Sequence, residues 1–350
     1  MVRVAVIAPY ETASITMTGL FDVIGKADRA FGTLHGRPGR DTVFDVSLVS
    51  LDGLAVTYRD RISVRVDLSA ESVTNMDLVV VPGLDDELES SFERNAAWAP
   101  WIARWHQEGA VVASSCSGAF LVAEAGILDG RTATTHWMYA AHMQRRYPAV
   151  RVVAERLMVD HGDVITSGGA TTFLDLALYL VERFAGRERA NAAARVLLID
   201  GARTSQLPYA TYGAAHREHD DDVVHRVQDV IDANLSSALL IADLAYDAGL
   251  SSRTLTRRFQ STLRCAPQSY IQLRRIDTAR RLLETTDNAI DTIRRQVGYR
   301  DPASFRRVFR HHTGLAPSEY RYRYGWPTTG DDDPAARTAQ RVSRTGALSA

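Results

Sequence analysis

The chain has 350 residues, 45% of them hydrophobic, with a formal net charge of −1 and cysteines only at Cys116 and Cys265. The length is too great for one ordinary core and implies two domains; apolar runs fall short of the roughly 20 residues that a membrane span needs, two distant cysteines exclude a disulfide framework and fit a reducing cytoplasm, and no Cys/His cluster has metal-ligand spacing. The small net charge hides an asymmetry, −8 over residues 1–222 against +7 over 223–325 with a neutral tail at 326–350, the pattern of an acidic sensor fused to a basic nucleic-acid reader.

Residues 2–8 form an apolar run too short for a signal peptide and read as a buried first strand. Further β-rich apolar runs follow at 44–50, 78–81, 111–114 and 164–166. Helical patterns lie near 18–31, 92–108, 118–125, 137–146 and 170–184, with one more near 188–200. This alternation, with strands that are apolar throughout, predicts an α/β domain over residues 1–202 built on a parallel sheet covered on both faces. The alternating stretch 54–67 predicts a small hairpin insertion. Residues 110–120 run from apolar strand through small residues, a cysteine and a glycine into a helix. Cys116 is thereby placed on a sharp strand-to-helix turn, and His136, within Thr134-Thr135-His136-Trp137, makes a nucleophile–base pair with it on paper. The same residues fit an inert buried thiol, a pocket lining or a redox-sensing thiol.

Residues 203–222, with Pro208, Gly213 and the run Glu218-His219-Asp220-Asp221-Asp222, read as a polar linker. Beyond it the chain becomes helical. Val224, Val227, Val230 and Ile231 mark one apolar stripe, and Tyr270, Leu273, Ile276, Leu282 and Leu283 mark a long amphipathic helix from Pro267 to about Thr286. Apolar periodicity is lost after Trp326, so residues 326–350 are expected to be disordered.

The most informative feature is a motif that occurs twice in the basic half. Gly249-Leu250, Leu255, Arg257, Phe259 and Ala266-Pro267-Gln268-Ser269-Tyr270 are matched by Gly298-Tyr299, Phe305, Arg307, Phe309 and Ala316-Pro317-Ser318-Glu319-Tyr320. From Leu255 onward the copies stand fifty residues apart. Each reads as a helix, a glycine turn and a second helix carrying arginine, which is a helix-turn-helix. In the first, 241–248 supports and Ser251 or Ser252 caps the next helix, which presents Arg253, Thr254, Thr256 and Arg257 outward and Leu255 and Phe259 inward. In the second, 290–297 supports and Asp301 caps, with Pro302 at the first helical position; Ala303, Ser304, Arg306, Arg307 and Arg310 face outward. Arginine bonds guanine O6 and N7 as a pair and pairs with any phosphate. A spacer helix would hold the two reading helices about one DNA turn, roughly 34 Å, apart. A basic helical bundle that binds protein is the plainer alternative.

Leu244-Ala245, Gly249-Leu250-Ser251, Arg253-Thr254-Leu255, Arg257-Arg258-Phe259, Arg280-Arg281-Leu282-Leu283, Val297-Gly298-Tyr299, Ser304-Phe305 and Pro317-x-x-Tyr320-Arg321 resemble the DNA-binding domain of the AraC family over residues 223–324. The resemblance implies that Arg253, Thr256, Arg257, Ser304, Arg306 and Arg307 face bases or phosphates. Two positions depart from the family pattern: Arg264 stands where glycine is usual, and Arg294 where a small residue is usual. The first departure implies an arginine in a left-handed cap and a less rigid first copy.

In the acidic half, Val80-Val81-Pro82-Gly83, Cys116-Ser117-Gly118-Ala119-Phe120-Leu121, Ala125-Gly126-Ile127-Leu128-Asp129-Gly130-Arg131, Ala133-Thr134-Thr135-His136-Trp137 and Thr166-Ser167-Gly168-Gly169-Ala170 resemble the class I glutamine amidotransferase-like, flavodoxin-like fold in its PfpI branch. The two halves together resemble the GlxA-type regulators. Enzymes of the branch carry an acid six positions before an aspartate, which falls here on Thr16, and peptidase-type members carry histidine after the cysteine, which falls on Ser117. Both departures favour a binding pocket over catalytic residues. That pocket would be lined by Thr16, Gly83, Cys116, Ser117, His136, Gly168 and Gly169, with backbone N–H groups near Gly83 and Ser117 open to an anion or carbonyl.

The chain then reads as a cytoplasmic transcriptional regulator. The resemblance implies a homodimer on double-stranded promoter DNA, contact with RNA polymerase, and a small-molecule effector of the amine or amino-acid-derivative class, without cofactor or metal. Two competing readings are a cysteine-dependent amidase, peptidase or glyoxalase fused to a DNA-binding domain, and an α/β half that serves only for dimerisation.

Overall fold

The computed structural model describes residues 1–325 apart from 11, 37–41, 59–60, 85–87, 202, 212–216 and 218; the tail 326–350 lies outside the described residues. The chain divides into two compact units, Met1–Ala210 and the part from Thr211 onward. The first unit runs β1 (Val2–Ile7), α1 (Ser14–Leu34), β2 (Phe44–Ser50), β3 (Val56–Tyr58), β4 (Ile62–Val64), β5 (Leu68–Ser69), β6 (Leu78–Val81), α2 (Leu88–Asn95), α3 (Trp98–Gln107), β7 (Val111–Ser115), α4 (Gly118–Glu124), β8 (Thr132–Ala133), α5 (Ala140–Arg146), β9 (Arg151–Val152), β10 (Met158–Asp160), β11 (Val164–Ser167), α6 (Phe173–Ala185) and α7 (Arg187–Leu197).

Among the described residues seven strands form one sheet in the order β10-β11-β7-β6-β1-β2-β5. Every neighbouring pair is parallel except β10 with β11. The strand composition explains the layering. Val4 and Val6 of β1 enter a cluster with Met17, Leu20, Ile24, Phe173 and Leu176, from α1 and α6. Ala5 and Ile7, on the other face, pack with Phe92, Trp98, Ile102, Trp105 and Phe120. A strand that is apolar on both faces stays dry only when helices cover both, and parallel crossovers deliver them there. From β1 the chain winds outward to β2 on one side and through β6 to β7 on the other, so a crevice opens at the carboxyl ends of these strands.

Three details differ from the sequence expectation. The sheet has an antiparallel edge, β10, only 3 residues long and too short to carry a periodic signal. The stretch 92–108 is two helices, α2 and α3, and Asn95 at their junction turns its side chain onto the backbone of Tyr10, accepting from its N–H and donating to its carbonyl, both at 2.8 Å. Residues 203–210, read as the start of a linker, are built into the first unit: Arg203 pairs with buried Asp175, and Gln206 is only 2% exposed. Polar composition alone does not separate a solvated linker from a segment whose side chains satisfy buried backbone.

Among the described residues the second unit is all helical: α8 (Asp222–Ala233), α9 (Ile241–Asp247), α10 (Ser252–Leu263), α11 (Pro267–Thr285), α12 (Ile290–Gln296), α13 (Pro302–Thr313) and α14 (Pro317–Tyr324). The caps are those the sequence announces. Ser251 Oγ accepts from Thr254 N–H at 3.2 Å, and the Asp301 carboxylate accepts from Ser304 N–H at 2.7 Å. Burial over residues 251–270 is reproduced position for position over 301–320. Leu255 and Phe259 fill one core with Val224, Ile231 and Leu244, while Phe305 and Phe309 fill a second with Ile293 and Val297. Helix α11 belongs to both, giving Tyr270 and Ile271 to the first core and Ile276, Ala279 and Leu283 to the second.

Arg264 ends α10 at φ 58°, the left-handed conformation that Gly314 adopts at the matching end of α13 with φ 73°. A side chain there costs about 1 kcal/mol that glycine avoids. His312, near the end of α13, is half-buried; burial and the positive charge of His311 and Arg280 push its pKa from the ordinary 6.5 down to about 4. Above pH 6.5 folded and unfolded histidine are alike, but between 6.5 and 4 only the unfolded chain binds the proton, so stability falls as pH drops through that window. Calorimetry from about pH 7 to about pH 5 is therefore expected to show a falling melting temperature for the second unit, and His312→Gln to flatten that fall.

Candidate functional site

The thiol lies at the carboxyl end of β7. Cys116 takes φ +56° between Ser115 and the first residue of α4. This strained conformation is held on both sides. Its N–H donates to the carbonyls of Ser167 and Gly168 at 3.1 and 2.9 Å, and its carbonyl accepts from Thr135 Oγ1 at 2.8 Å. The close start of α4 requires glycine, since a Cβ on Gly118 would stand 2.4 Å from the Pro82 carbonyl. Ser117 Oγ ties the turn to the next loop, accepting from Leu84 N–H at 2.8 Å and donating to Leu84 O at 3.1 Å. The thiol residue is 9% exposed.

Thr16 fills the position where a carboxylate would serve catalysis. It is 2% exposed, and its Oγ1 donates to Ala13 O at 2.8 Å and accepts from Gly83 N–H at 3.2 Å. The Gly83 N–H, expected from sequence to be open to a ligand, is thus taken by Thr16, and the hydroxyl offers no negative charge. His136 forms the opposite wall. A Cβ on Gly169 would fall 1.7 Å from His136 Cδ2, so the ring lies directly on that glycine. His136 Nδ1 accepts from Met138 N–H at 3.1 Å, which leaves the neutral ring's proton on Nε2. Trp137 and Tyr139 flank the ring at 5.4 and 5.5 Å between centroids.

The seven residues expected to line one pocket are therefore gathered around one turn. Thr16, Gly83, Cys116 and Ser117 make one side, and Gly168, Gly169 and His136 the other. The residue that sequence missed is Gln206. Its Oε1 accepts from Gly169 N–H at 3.0 Å and Trp137 N–H at 3.3 Å, and its Nε2 donates to the carbonyls of Thr135, Ala154 and Arg156 at 2.8, 3.1 and 3.1 Å. One amide thus locks the His136 loop to the Gly168–Gly169 loop. No motif announces it, because a glutamine in a polar stretch looks solvated.

On the second unit, Arg253, Thr256 and Arg257 share a surface of α10 with Ser252, Gln260 and Arg264. Arg306, Arg307 and Arg310 are exposed on α13. Arg253, Arg257, Arg306 and Arg307 form no ion pair among the described residues, so four guanidinium groups face solvent uncommitted. Three expected reading residues are less available. Thr254 is half-buried with its Oγ1 at 2.9 Å from the capping Ser251 Oγ, Ser304 is half-buried beside its cap, and Arg310 reaches Glu319 at 3.4 Å. Arg258 faces Asp221 at 3.0 Å.

Among the described residues no helix is long and apolar enough to cross a membrane, and no group of three or more His, Cys, Asp or Glu is placed to hold a metal ion. Residues 2–183 match the DJ-1/PfpI family, and residues 244–323 match a helix-turn-helix domain. The HTH-type transcriptional regulator GbdR of Pseudomonas aeruginosa is 27% identical over 277 residues, 78% of this chain and 73% of that protein. CdhR, an HTH-type transcriptional regulator of the same organism, is 28% identical over 302 residues, 85% of this chain and 87% of its own. GlxA of Rhizobium meliloti, likewise an HTH-type transcriptional regulator, is 24% identical over 298 residues, 85% and 90% of the two chains. The similarity to these regulators thus runs along most of their length, and the chain belongs to the DJ-1/PfpI family, with a C-terminal helix-turn-helix domain of the AraC type.

Proposed function

We propose that the chain is a sequence-specific, DNA-binding transcriptional regulator whose first unit holds a small molecule beside Cys116. One observation carries the first part: the burial pattern of α10 returns fifty residues on in α13, and each helix presents uncommitted arginines at the same register. Two copies of one reading surface joined by a continuous helix suit two stretches of major groove. The relatives' names as HTH-type transcriptional regulators support the same reading. In the first unit the geometry favours binding over turnover, because a neutral hydroxyl stands at Thr16 and the His136 Nδ1 is occupied by backbone.

The protein acts in the cytoplasm as a homodimer on promoter DNA, in contact with RNA polymerase, and its effector is an amine or amino-acid derivative. Pull-down of sheared genomic DNA followed by footprinting tests the regulator: defined protected segments are expected, and capture of DNA without sequence preference would refute it. A thermal-shift screen of amines and amino-acid derivatives tests the pocket. Ligand at one hundred times Kd stabilises by about 2.7 kcal/mol, and Gly169→Ala, which displaces His136, is expected to remove that response while DNA binding persists. If no compound raises the melting temperature, the first unit serves for dimerisation alone. Measurable amide or dicarbonyl turnover that disappears in Cys116→Ala would instead establish the enzyme.

A further inference from the structure

Within the second unit, a cavity of about 710 Å3 lies between the two helix-turn-helix copies, its walls including Ser237, Gln268, Arg275, Arg294, Arg295 and Arg300. It carries four arginines and no carboxylate in its lining. Asp291, outside it, takes Arg294 at 2.7 Å and Arg295 at 3.2 Å. Arg294 is buried and also donates to the carbonyls of Tyr299 and Arg300, so its role is to hold the turn. Among the described residues Arg275 has only neutral partners, with Nε donating to Leu235 O at 3.0 Å and Nη2 to Ser237 O at 2.7 Å. Arg300 is exposed and forms no ion pair among the described residues.

Adjacent arginines show how unusual this is. At Arg274 burial opposes the charge, but Asp232 at 2.7 Å outweighs it and the pKa rises. At Arg275 burial has no such answer and the pKa falls. A half-buried cation without a counter-charge is costly, and a site built this way gains from an incoming anion. Position identifies the anion. The cavity floor is α11; one side is the loop before α9 in the first copy, and the other is the turn at 298–300, directly before the Asp301 cap of α13. An occupant therefore sits between the two reading helices, beside the start of one of them, where helix-turn-helix proteins meet the sugar–phosphate chain. The volume is far larger than one phosphate needs and leaves room for the sugars on either side.

We propose that this cavity seats a phosphate of the DNA backbone between the two groove segments, gripped by Arg275, Arg295 and Arg300. The inference rests on the DNA-binding reading. Arginine's planar fork matches the phosphate oxygens, and the contact is indifferent to base sequence.

The test uses the full chain and a labelled duplex of random sequence, titrated over a range of salt. The double variant Arg295→Gln, Arg300→Gln is compared with Arg281→Gln, an exposed arginine of α11 outside the cavity. Each lost phosphate contact lowers the slope of log K against log salt by about 0.9. The double variant, which releases that one phosphate, is expected to lose about 0.9, at an unchanged melting temperature, while Arg281→Gln matches wild type. Equal slopes for wild type and double variant, or an equal loss in Arg281→Gln, overturn the phosphate seat but leave the regulator reading intact. A wild-type chain that binds no duplex refutes the regulator reading itself. Inorganic phosphate at matched ionic strength separates the remaining source: if it raises the wild-type melting temperature, the double variant loses that rise and the DNA slopes stay equal, the site takes a free oxyanion and the DNA assignment is overturned.

Discussion

Replacing Arg257 and Arg307 together by alanine is expected to erase the footprint on target promoters while both units keep their melting temperatures. The two side chains are exposed, uncommitted, and occupy the same register of α10 and α13. An arginine that bonds guanine as a pair contributes about 1–3 kcal/mol of discrimination. The sites are far apart and share no partner, so their effects add. A combined loss of about 2–6 kcal/mol corresponds to about 30-fold to above 10,000-fold in specific affinity. Residual, sequence-blind binding is expected to remain, because the other basic side chains still meet phosphate. Quantitative footprinting beside a competition assay with random duplex measures both parts. Unchanged specific binding would show that α10 and α13 are not the reading helices.

The largest expected effect in the first unit belongs to Gln206→Ala. The substitution strips partners from the N–H groups of Gly169 and Trp137 and from the carbonyls of Thr135 and Ala154, while the Arg156 carbonyl keeps the Thr134 hydroxyl at 2.8 Å. Each buried backbone group left unpaired costs about 1–3 kcal/mol. With water re-entering part of the gap, a net loss of about 3–5 kcal/mol is expected. For a unit of this size that lowers the melting temperature by about 6–20 °C. Gln206→Glu is a sharper probe. It keeps the acceptor but aims a carboxylate at three carbonyl oxygens, so it is expected to be worse than alanine near neutral pH and to recover as acid protonates it. Denaturant unfolding of the three proteins at two pH values decides. Wild-type stability in both variants would mean that the amide does not lock the His136 loop to the Gly168–Gly169 loop.

Much of this molecule is legible in its sequence. The central strands are apolar on both faces, and only a sheet covered on both sides accommodates Val4, Ala5, Val6 and Ile7 in succession. The twin helices α10 and α13 are legible because a repeat supplies its own control: Leu255 with Phe305, and Phe259 with Phe309, show which side is inward in both copies at once. The gathering of Thr16, Gly83, Cys116, Ser117, His136, Gly168 and Gly169 follows from the resemblance to the PfpI branch, which supplies Thr16 and His136, while Gly83, Cys116, Ser117, Gly168 and Gly169 stand just after strands, where a chain turns sharply. What sequence did not yield depends on partners distant along the chain. Gln206 looks like any polar residue until the carbonyls it serves are brought to it, up to 71 residues away. The Gly83 N–H looked available because nothing local announces that Thr16 reaches it across 67 residues. Thr254 looked like a reading residue because a cap and a contact surface use the same hydroxyl.

The shared helix α11 has a consequence for how this reader can change. It is 19 residues long, and every residue along it adds about 1.5 Å of advance and about 100° of rotation. Lengthening it by one position would swing the distal copy about a quarter-turn and more, aiming its arginines away from the double helix instead of into the next groove. Only changes near seven residues, about two full turns, would restore the facing, and by then the copies would stand out of step with the pitch of DNA. Natural variation in binding preference is therefore channelled into side chains on α10 and α13, and operators for such proteins should vary in their letters while the interval between the two half-sites stays constant.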